Sequence, residues 1–360
     1  MFCWEGEVGL IVRIVKTPAS IRDVAARSGY SKSTVSLVFR GDPSIPKETA
    51  DKIWRAAREL DYRPNPLVVS LVSTLRARKS RSAGPVIAYL TSYPSRTGWK
   101  RNRTFERHFV GARTRCSELG YRLEHFWFRE PGMTSRRLEQ VFAARNIHGI
   151  VLGPVPTGTL IELDWQRFAL AKIGFSLSSL PIHAASNHQL RAINVSLEKL
   201  VAAGKPRIGF LLPSEDDIRV DCNWSAGRLL YERGIAAADR VPVFDKSPTR
   251  KAMLRWYYEH SPDAIVTTRM EIFRWLREAE VKIPEETSVI DLDADPRGEI
   301  SGMDQRSEAV GAAAVDLVVE QLNYNQRGLP SHPRTVLTEG VWIERGTTSG
   351  TCARPDLLLK

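Results

Sequence analysis

Between residues 18 and 64, apolar side chains recur at helical spacing in three short bursts, each closed by a turn residue. Ser20 is a suitable N-cap, and Asp23 sits in the first turn, where a carboxylate complements the helix dipole. Ile21, Val24 and Ala25 then share one face of a two-turn helix, and Gly29 can end it in the left-handed conformation. Ser31 caps a second helix over 32–39, with Val35 and Val38 turned inward. Gly41, Asp42 and Pro43 break the chain. Pro46 opens a third helix where its missing N–H is harmless, and Ile53, Ala56, Ala57 and Leu60 follow its i, i+3, i+4, i+7 stripe. Two short helices joined by a glycine turn and braced by a third predict a helix-turn-helix unit. Its second helix exposes Lys32, Ser33, Thr34 and Ser36, small or cationic groups able to approach phosphates and base edges.

Beyond residue 84 the pattern changes. Apolar runs at 85–91, 147–154, 168–175, 207–213, 262–268 and 288–293 lack alternation and predict buried parallel strands. Between them lie amphipathic stretches at 105–119, 136–145, 188–203, 225–233, 251–260, 272–280 and 308–321. Strand–helix repetition of this kind implies a doubly wound α/β architecture. The segments around 182–188 and 302–305 are expected to be crossovers between two lobes.

Charge changes the picture most at the N-terminal end. The chain carries a net charge of +11 over 360 residues. Residues 17–81 hold 13 Lys+Arg against 6 Asp+Glu, whereas 83–360 hold 37 against 33. A basic excess confined to the small unit suits a polyanion, either nucleic acid or an anionic membrane surface, or else a solvated basic face. No apolar run reaches the ~18 residues needed for a transmembrane helix. Residues 1–16 contain Glu5 and Glu7 and do not read as a secretory signal. Cys3, Cys116, Cys222 and Cys352 are widely spaced, which argues against a zinc ribbon or a disulfide framework and for a reducing, cytoplasmic setting.

The residues I-R-D-V-A at 21–25, S-G-Y-S-K-S-T-V-S at 28–36, G-D-P at 41–43, E-T at 48–49 and Y-R-P-N at 62–65 strongly resemble the DNA-binding headpiece of the lactose-repressor (LacI/GalR) family of bacterial transcription regulators. The later part resembles that family's ligand-binding core more loosely, through H-G-I-V-L at 148–152, A-A-G-K-P-R-I-G-F-L at 202–211 and V-K-I-P-E-E-T-S-V-I-D-L-D at 281–293. That core is itself similar to periplasmic sugar-binding proteins. The resemblance implies an all-α headpiece plus an α/β two-lobed periplasmic-binding-protein-like domain. The expected division is an extension at 1–16, the headpiece at 17–64, a hinge helix and linker at 65–84, the two-lobed domain at 85–346 and a tail at 347–360. The implied DNA-contacting set is Ser20, Arg22, Ser31, Lys32, Ser33, Thr34, Ser36 and Arg40, with Asn65 capping the hinge helix. Leu71 would either wedge into the minor groove or pack against its dimer mate. The family's usual arginine is replaced by Leu37, which cannot donate a hydrogen bond, so operator preference should differ there.

In the resemblance, effectors bind between the lobes. Asp293 aligns with an aspartate that often holds a ligand hydroxyl, though a loop carboxylate there can equally cap backbone. The family's usual Asn-Asp pair reads Thr268-Arg269, and its usual arginine is displaced, with Arg219 nearby. Trp224 suits either a sugar site or the core. The basic segment 92–109, containing Arg96, Lys100, Arg101, Arg103 and Arg107 around Trp99, reads as a ligand- or DNA-binding loop or as a solvated one. Asp291, Asp293 and Asp295 lack the rest of a calcium loop, Ser196–Lys199 lacks partner motifs, and no phosphate-binding glycine loop occurs. The chain is therefore expected to be no enzyme and to need no cofactor or metal. It should be a regulator, in the repressor sense, that binds double-stranded operator DNA as a homodimer, without a membrane. A small-molecule effector, a sugar or derivative, is expected in the cleft. The alternative is a cytoplasmic solute-binding protein without specific DNA readout.

Overall fold

A computed structural model describes residues 21–39, 45–60, 62 and 84–348, apart from the side chain of Ser36. The chain divides into two compact units.

In the N-terminal unit, α1 (Ile21–Ser28), α2 (Lys32–Phe39) and α3 (Lys47–Glu59) form the predicted trio. Gly29 carries the turn at φ +77°, a conformation that a Cβ would strain. Val24, Ala25, Val35, Val38, Ile53, Ala56 and Ala57 make a closed core. Phe39 extends it, meeting Trp54 edge-on at 4.9 Å and stacking on Tyr62 at 5.2 Å. An Arg27–Glu59 ion pair of 2.8 Å ties α1 to α3 at the surface.

The larger unit holds two sheets. The first comprises β1 (Val86–Thr91), β2 (Arg122–Trp127), β3 (Gly149–Leu152), β4 (Ala169–Ile173), β5 (His183–Asn187) and β10 (Thr335–Thr338), in the order β10-β5-β4-β3-β1-β2 and all parallel. The second comprises β6 (Ile208–Leu211), β7 (Ala264–Thr267), β8 (Ser288–Asp291), β9 (Ser301–Asp304) and β11 (Val341–Ile343), in the order β11-β9-β8-β7-β6, with only β11 antiparallel. Around the first sheet pack α4 (Arg103–Glu118), α5 (Ser135–Ala144) and α11 (Ser307–Asn323). Around the second pack α6 (Gln189–Ala202), α7 (Ser214–Arg219), α8 (Asn223–Arg233), α9 (Arg250–His260) and α10 (Met270–Glu278). Each sheet is covered by a hydrophobic cluster on each face, as unbroken apolar strands require.

The six predicted strands all form, each trimmed by a residue or more. Two expected crossovers need correction. Residues 183–187 are strand β5, and the chain passes to the second lobe only afterwards, where the His188 side chain caps α6. Residues 301–304 are strand β9, with the crossing at 305–306 before α11 returns to the first lobe. A third crossing, between β10 and β11, had no counterpart in the pattern. Thr347, placed in the tail from the sequence, is buried, and its backbone and hydroxyl bond Val289 and Ser301.

Helices α4 and α11 cross at a glycine pair. A Cβ on Gly111 would sit 1.9 Å from the Glu308 carbonyl oxygen, and one on Gly311 the same distance from that of His108. This contact carries α11 onto the first sheet and sets where Glu308 and His108 lie.

Candidate functional site

The headpiece presents the N-terminus of α2. The Ser31 hydroxyl accepts the Thr34 backbone N–H at 3.1 Å, as an N-cap should, and exchanges hydrogen bonds with the Ser33 and Thr34 hydroxyls at 2.7 and 2.9 Å. Lys32 and Ser33 are exposed and Thr34 half-buried, while Val35 and Val38 anchor the opposite face. Arg22 is exposed on α1. A capped helix end with short hydroxyls and one ammonium can approach a phosphate backbone or groove floor closely. Ser20, Arg40, Asn65 and Leu71 lie outside the described residues, as do the hinge helix, the Gly41–Asp42–Pro43 turn and residues 1–16.

Between the two lobes of the larger unit lies a cavity of about 180 Å³. Its walls come from residues just beyond the carboxyl ends of the strands: Asn102 and Thr104 after β1, Asn187 ending β5, Asp216 and Arg219 after β6, Thr268 and Arg269 after β7, and Asp293 after β8. Asp293, Arg269, Arg219 and Trp224, the four candidates from the sequence, all line it. Trp224 is also a core residue, 6% exposed, with its indole N–H bonded to Gln189 Oε1 at 2.9 Å.

Each charged candidate has a defined environment. Arg269 pairs with Asp216 at 2.6 Å and more loosely with the exposed Glu215 at 3.5 Å, and its Nε is buried without a partner. Burial raises the Asp216 carboxyl, while Arg269 pulls it down. Arg219 donates to the Val155 carbonyl at 3.1 Å and lies over the Phe105 ring at 5.1 Å. Asp293 accepts from the Thr104 hydroxyl, and its own carbonyl accepts from Arg103 at 2.8 Å. Burial nevertheless raises the Asp293 carboxyl above the usual range. Arg103, Thr104, Phe105 and Val155 belong to the first lobe, and their partners belong to the second. The lobes are therefore bridged directly over the cavity.

Residues that the sequence reading missed complete the wall: Thr104, Phe105, His108, Gln189 and Gln305 among them. His108 is 4% exposed with neither ring nitrogen partnered, and burial pushes its pKa down to about 3, so it is neutral. Asn102 had a legible signal, because it caps α4 through Thr104 N–H at 2.9 Å and follows the first strand. The others had none, since Gln189 and Gln305 sit at crossovers with no motif.

The basic segment 92–109 is a solvated loop only in part, with residues 94–97, Lys100 and Arg101 exposed. Trp99 is 1% exposed in the core, and from Arg103 onward the chain is helical. Arg96 pairs with Glu130 at 3.3 Å, Arg103 with Asp295, and Arg107 with Asp304 and Glu308 at 2.9 and 2.7 Å. Arg103 and Arg107 are thus occupied inside the domain, Arg96 pairs at its surface, and Lys100 and Arg101 are exposed. Among the described residues, no group of three or more His, Cys, Asp or Glu side chains is placed to hold a metal ion, and no helix is long and apolar enough to cross a membrane.

Asp291, beneath the cleft at the end of β8, offers a pH test. It is 3% exposed, and burial, reinforced by the Asp293 carboxylate, pushes it up to about 7. An unfolded aspartate titrates near ~3.9. The native state therefore holds an extra proton between these values, and stability is lost as pH rises through that window. Asp291→Asn keeps an acceptor for the Asp293 N–H, which bonds Asp291 Oδ1 at 2.8 Å. It should stabilise the protein at pH 8 by on the order of 2 kcal/mol and leave it unchanged near pH 4. Melting curves at both pH values test this, and equal shifts at the two would refute a buried, proton-holding Asp291.

Residues 20–65 match the family model "Bacterial regulatory proteins, lacI family", and residues 197–348 match "Periplasmic binding protein-like domain". The HTH-type transcriptional regulator PtxS of Pseudomonas plecoglossicida is 25% identical over 350 residues, spanning 92% of this chain and 96% of the relative. The HTH-type transcriptional regulator KdgR of Bacillus subtilis is 22% identical over 346 residues, spanning 91% and 96%. Among solved structures, a lac repressor dimer bound to operator and the anti-inducer ONPF is similar with TM-score 0.54 and 18% identity, covering 93% of this chain and all of that one. The transcriptional regulator CelR in complex with cellobiose gives TM-score 0.55 and 17% identity, covering 91% and 99%. The two matched regions stand in the same order as headpiece and cleft, and the relatives align along nearly their whole length, so the chain carries a lacI-family DNA-binding region followed by a periplasmic-binding-protein-like domain, the arrangement of these HTH-type regulators.

Proposed function

We propose that this regulator represses transcription as a cytoplasmic homodimer bound to a pseudo-palindromic operator, and that a small molecule in the inter-lobe cavity, a sugar or sugar derivative, tunes its DNA affinity. The observation that carries the proposal is the capped, exposed N-terminus of α2 on a self-contained helix-turn-helix core. Arg22, Ser31, Lys32, Ser33, Thr34 and Ser36 are assigned to the DNA face, together with Ser20, Arg40, Asn65 and Leu71. Two headpieces read two half-sites related by the dimer axis. The PurR relative of Vibrio vulnificus, 22% identical over 357 residues, is described as a repressor, which favours that sign of regulation. The cavity wall supports the ligand part. Arg269 Nε, Thr268 Oγ1, His108 Nδ1 and Nε2, Asp293 Oδ1 and Gln305 Oε1 are buried there without partners. Unpaired buried polar atoms are unfavourable, and a polar ligand would satisfy them. By filling a cleft that both lobes line, such a ligand favours one lobe arrangement and shifts operator affinity through the hinge segment.

In-vitro selection of DNA bound by the purified protein tests the proposal. Enrichment of a pseudo-palindrome is expected. A folded, dimeric protein that enriches no sequence, with or without pooled sugars, would refute it. Affinity for the selected site should also fall steeply with salt, because each phosphate neutralised by Lys or Arg releases counterions. A fall on the order of 10³-fold between roughly 50 and 200 mM salt is expected for several such contacts per headpiece. A flat salt profile would exclude phosphate contacts as the main source of affinity.

A further inference from the structure

We infer that the cavity ligand is a small polyhydroxylated carboxylate, with Arg219 as the counter-ion of its acid group; this rests on the cavity being the ligand site. The wall has two chemically different corners. At one, Arg219 and Arg269 flank Asp216. Asp216 is engaged by Arg269 at 2.6 Å, and among the described residues no carboxylate lies within ion-pair distance of Arg219. The neighbouring acids are directed elsewhere. Glu215 is 66% exposed and outside the wall, and Asp217 caps α8 through the Trp224 and Ser225 N–H groups. Arg219, which bonds the Val155 carbonyl and the Tyr93 hydroxyl and feels Asp216 without forming an ion pair with it, therefore faces the cavity together with the unpartnered Arg269 Nε and the free Thr268 hydroxyl. That is a donor set for a carboxylate, and such charge-assisted bonds are the stronger kind.

The other corner offers no free cation. Asp293 Oδ1 and Gln305 Oε1 are unpartnered acceptors, and His108 supplies a neutral ring that can donate or accept. These groups suit hydroxyls rather than a second anion. At about 180 Å³ the cavity is smaller than the roughly 300–1,000 Å³ of drug-sized pockets, which limits the ligand to about the size of one monosaccharide. One guanidinium without a carboxylate partner favours a single negative charge over a phosphate dianion.

Titration calorimetry on the full chain tests this with gluconate, glucuronate and galacturonate against glucitol, glucose and galactose at constant ionic strength. At least one acid should bind about tenfold or more tightly than its neutral counterpart. Arg219→Gln should abolish that preference, Arg219→Lys should restore part of it, and Asp293→Asn should weaken acid and neutral compounds alike. Neutral compounds binding as tightly as acids, yet still sensitive to Asp293→Asn, would overturn the carboxylate inference and leave the cavity as the ligand site. Acid binding indifferent to both substitutions would overturn the cavity reading as well. No binding by any of the six would overturn the inference. If Arg219→Gln does not fold, as judged by its melting curve, glucose 6-phosphate on the unaltered chain decides. Tighter binding of the phosphate than of every acid overturns a monocarboxylate.

Discussion

Removal of residues 1–81 should abolish operator binding while the remainder still melts cooperatively. The expected loss is on the order of 10³-fold or more, the usual margin between specific and background binding. The physical basis is twofold. The headpiece core draws only on residues of the N-terminal unit, from Ile21 to Tyr62, so cutting it away removes no side chain from the four clusters of the larger unit. The same cut removes 13 Lys+Arg against 6 Asp+Glu between 17 and 81, and with them most of the basic excess available for phosphate contacts. Mobility-shift titration with the selected operator measures the first part and calorimetric melting the second. Unchanged DNA affinity would remove the headpiece from the DNA face; loss of the melting transition would mean the larger unit depends on it.

Gly111→Ala should destabilise the larger unit by about 3 kcal/mol, the upper part of the usual overpacking range. For a unit of this size that lowers Tm by on the order of 10 °C. The sign is diagnostic. In an exposed helix the same substitution stabilises by up to ~1 kcal/mol, because alanine is the better helix former. Here the new methyl would lie 1.9 Å from a backbone oxygen of α11, and backbone cannot swing aside as a long side chain can. Gly311→Ala should behave alike, since its methyl would meet the His108 carbonyl oxygen. A raised Tm in either variant would mean that the helices do not cross at backbone contact. Such a result would also loosen the placement of His108 and Glu308, which this crossing sets.

Helical periodicity and turn residues made the headpiece readable, because its three helices bury a local stripe against one another. The strands that were legible, such as β3 and β7, are continuous apolar runs buried on both faces. The others are composed differently. β2 reads Arg-Leu-Glu-His-Phe-Trp and is half-buried along most of its length at a sheet edge, β5 reads His-Ala-Ala-Ser-Asn, and β9 reads Ser-Gly-Met-Asp. Their polar side chains are tolerated because partners arrive from far along the chain. Asn187 at the end of β5 donates to the Gln305 carbonyl, 118 residues away, and Ser301 in β9 donates to Glu344. No local pattern announces such a partner.

The candidate cleft residues divide in the same way. Asp293, Arg219 and Arg269 could be named because the family resemblance places them at or near cleft positions, and Trp224 because its side chain suits a sugar. Thr104 and Gln305 could not, because only the approach of two lobes, each closed by crossovers, brings them to the wall. The sequence alone determined the helix-turn-helix, the alternation of strand and helix, and the concentration of positive charge at one end, since each depends on neighbours within a few residues. The tertiary structure decided which cations are consumed by internal ion pairs and which remain available. Arg103 and Arg107 are engaged by Asp295, Asp304 and Glu308, and Arg219 forms no ion pair with a carboxylate among the described residues. Charge compensation depends on distance in space, and a linear pattern does not carry that distance.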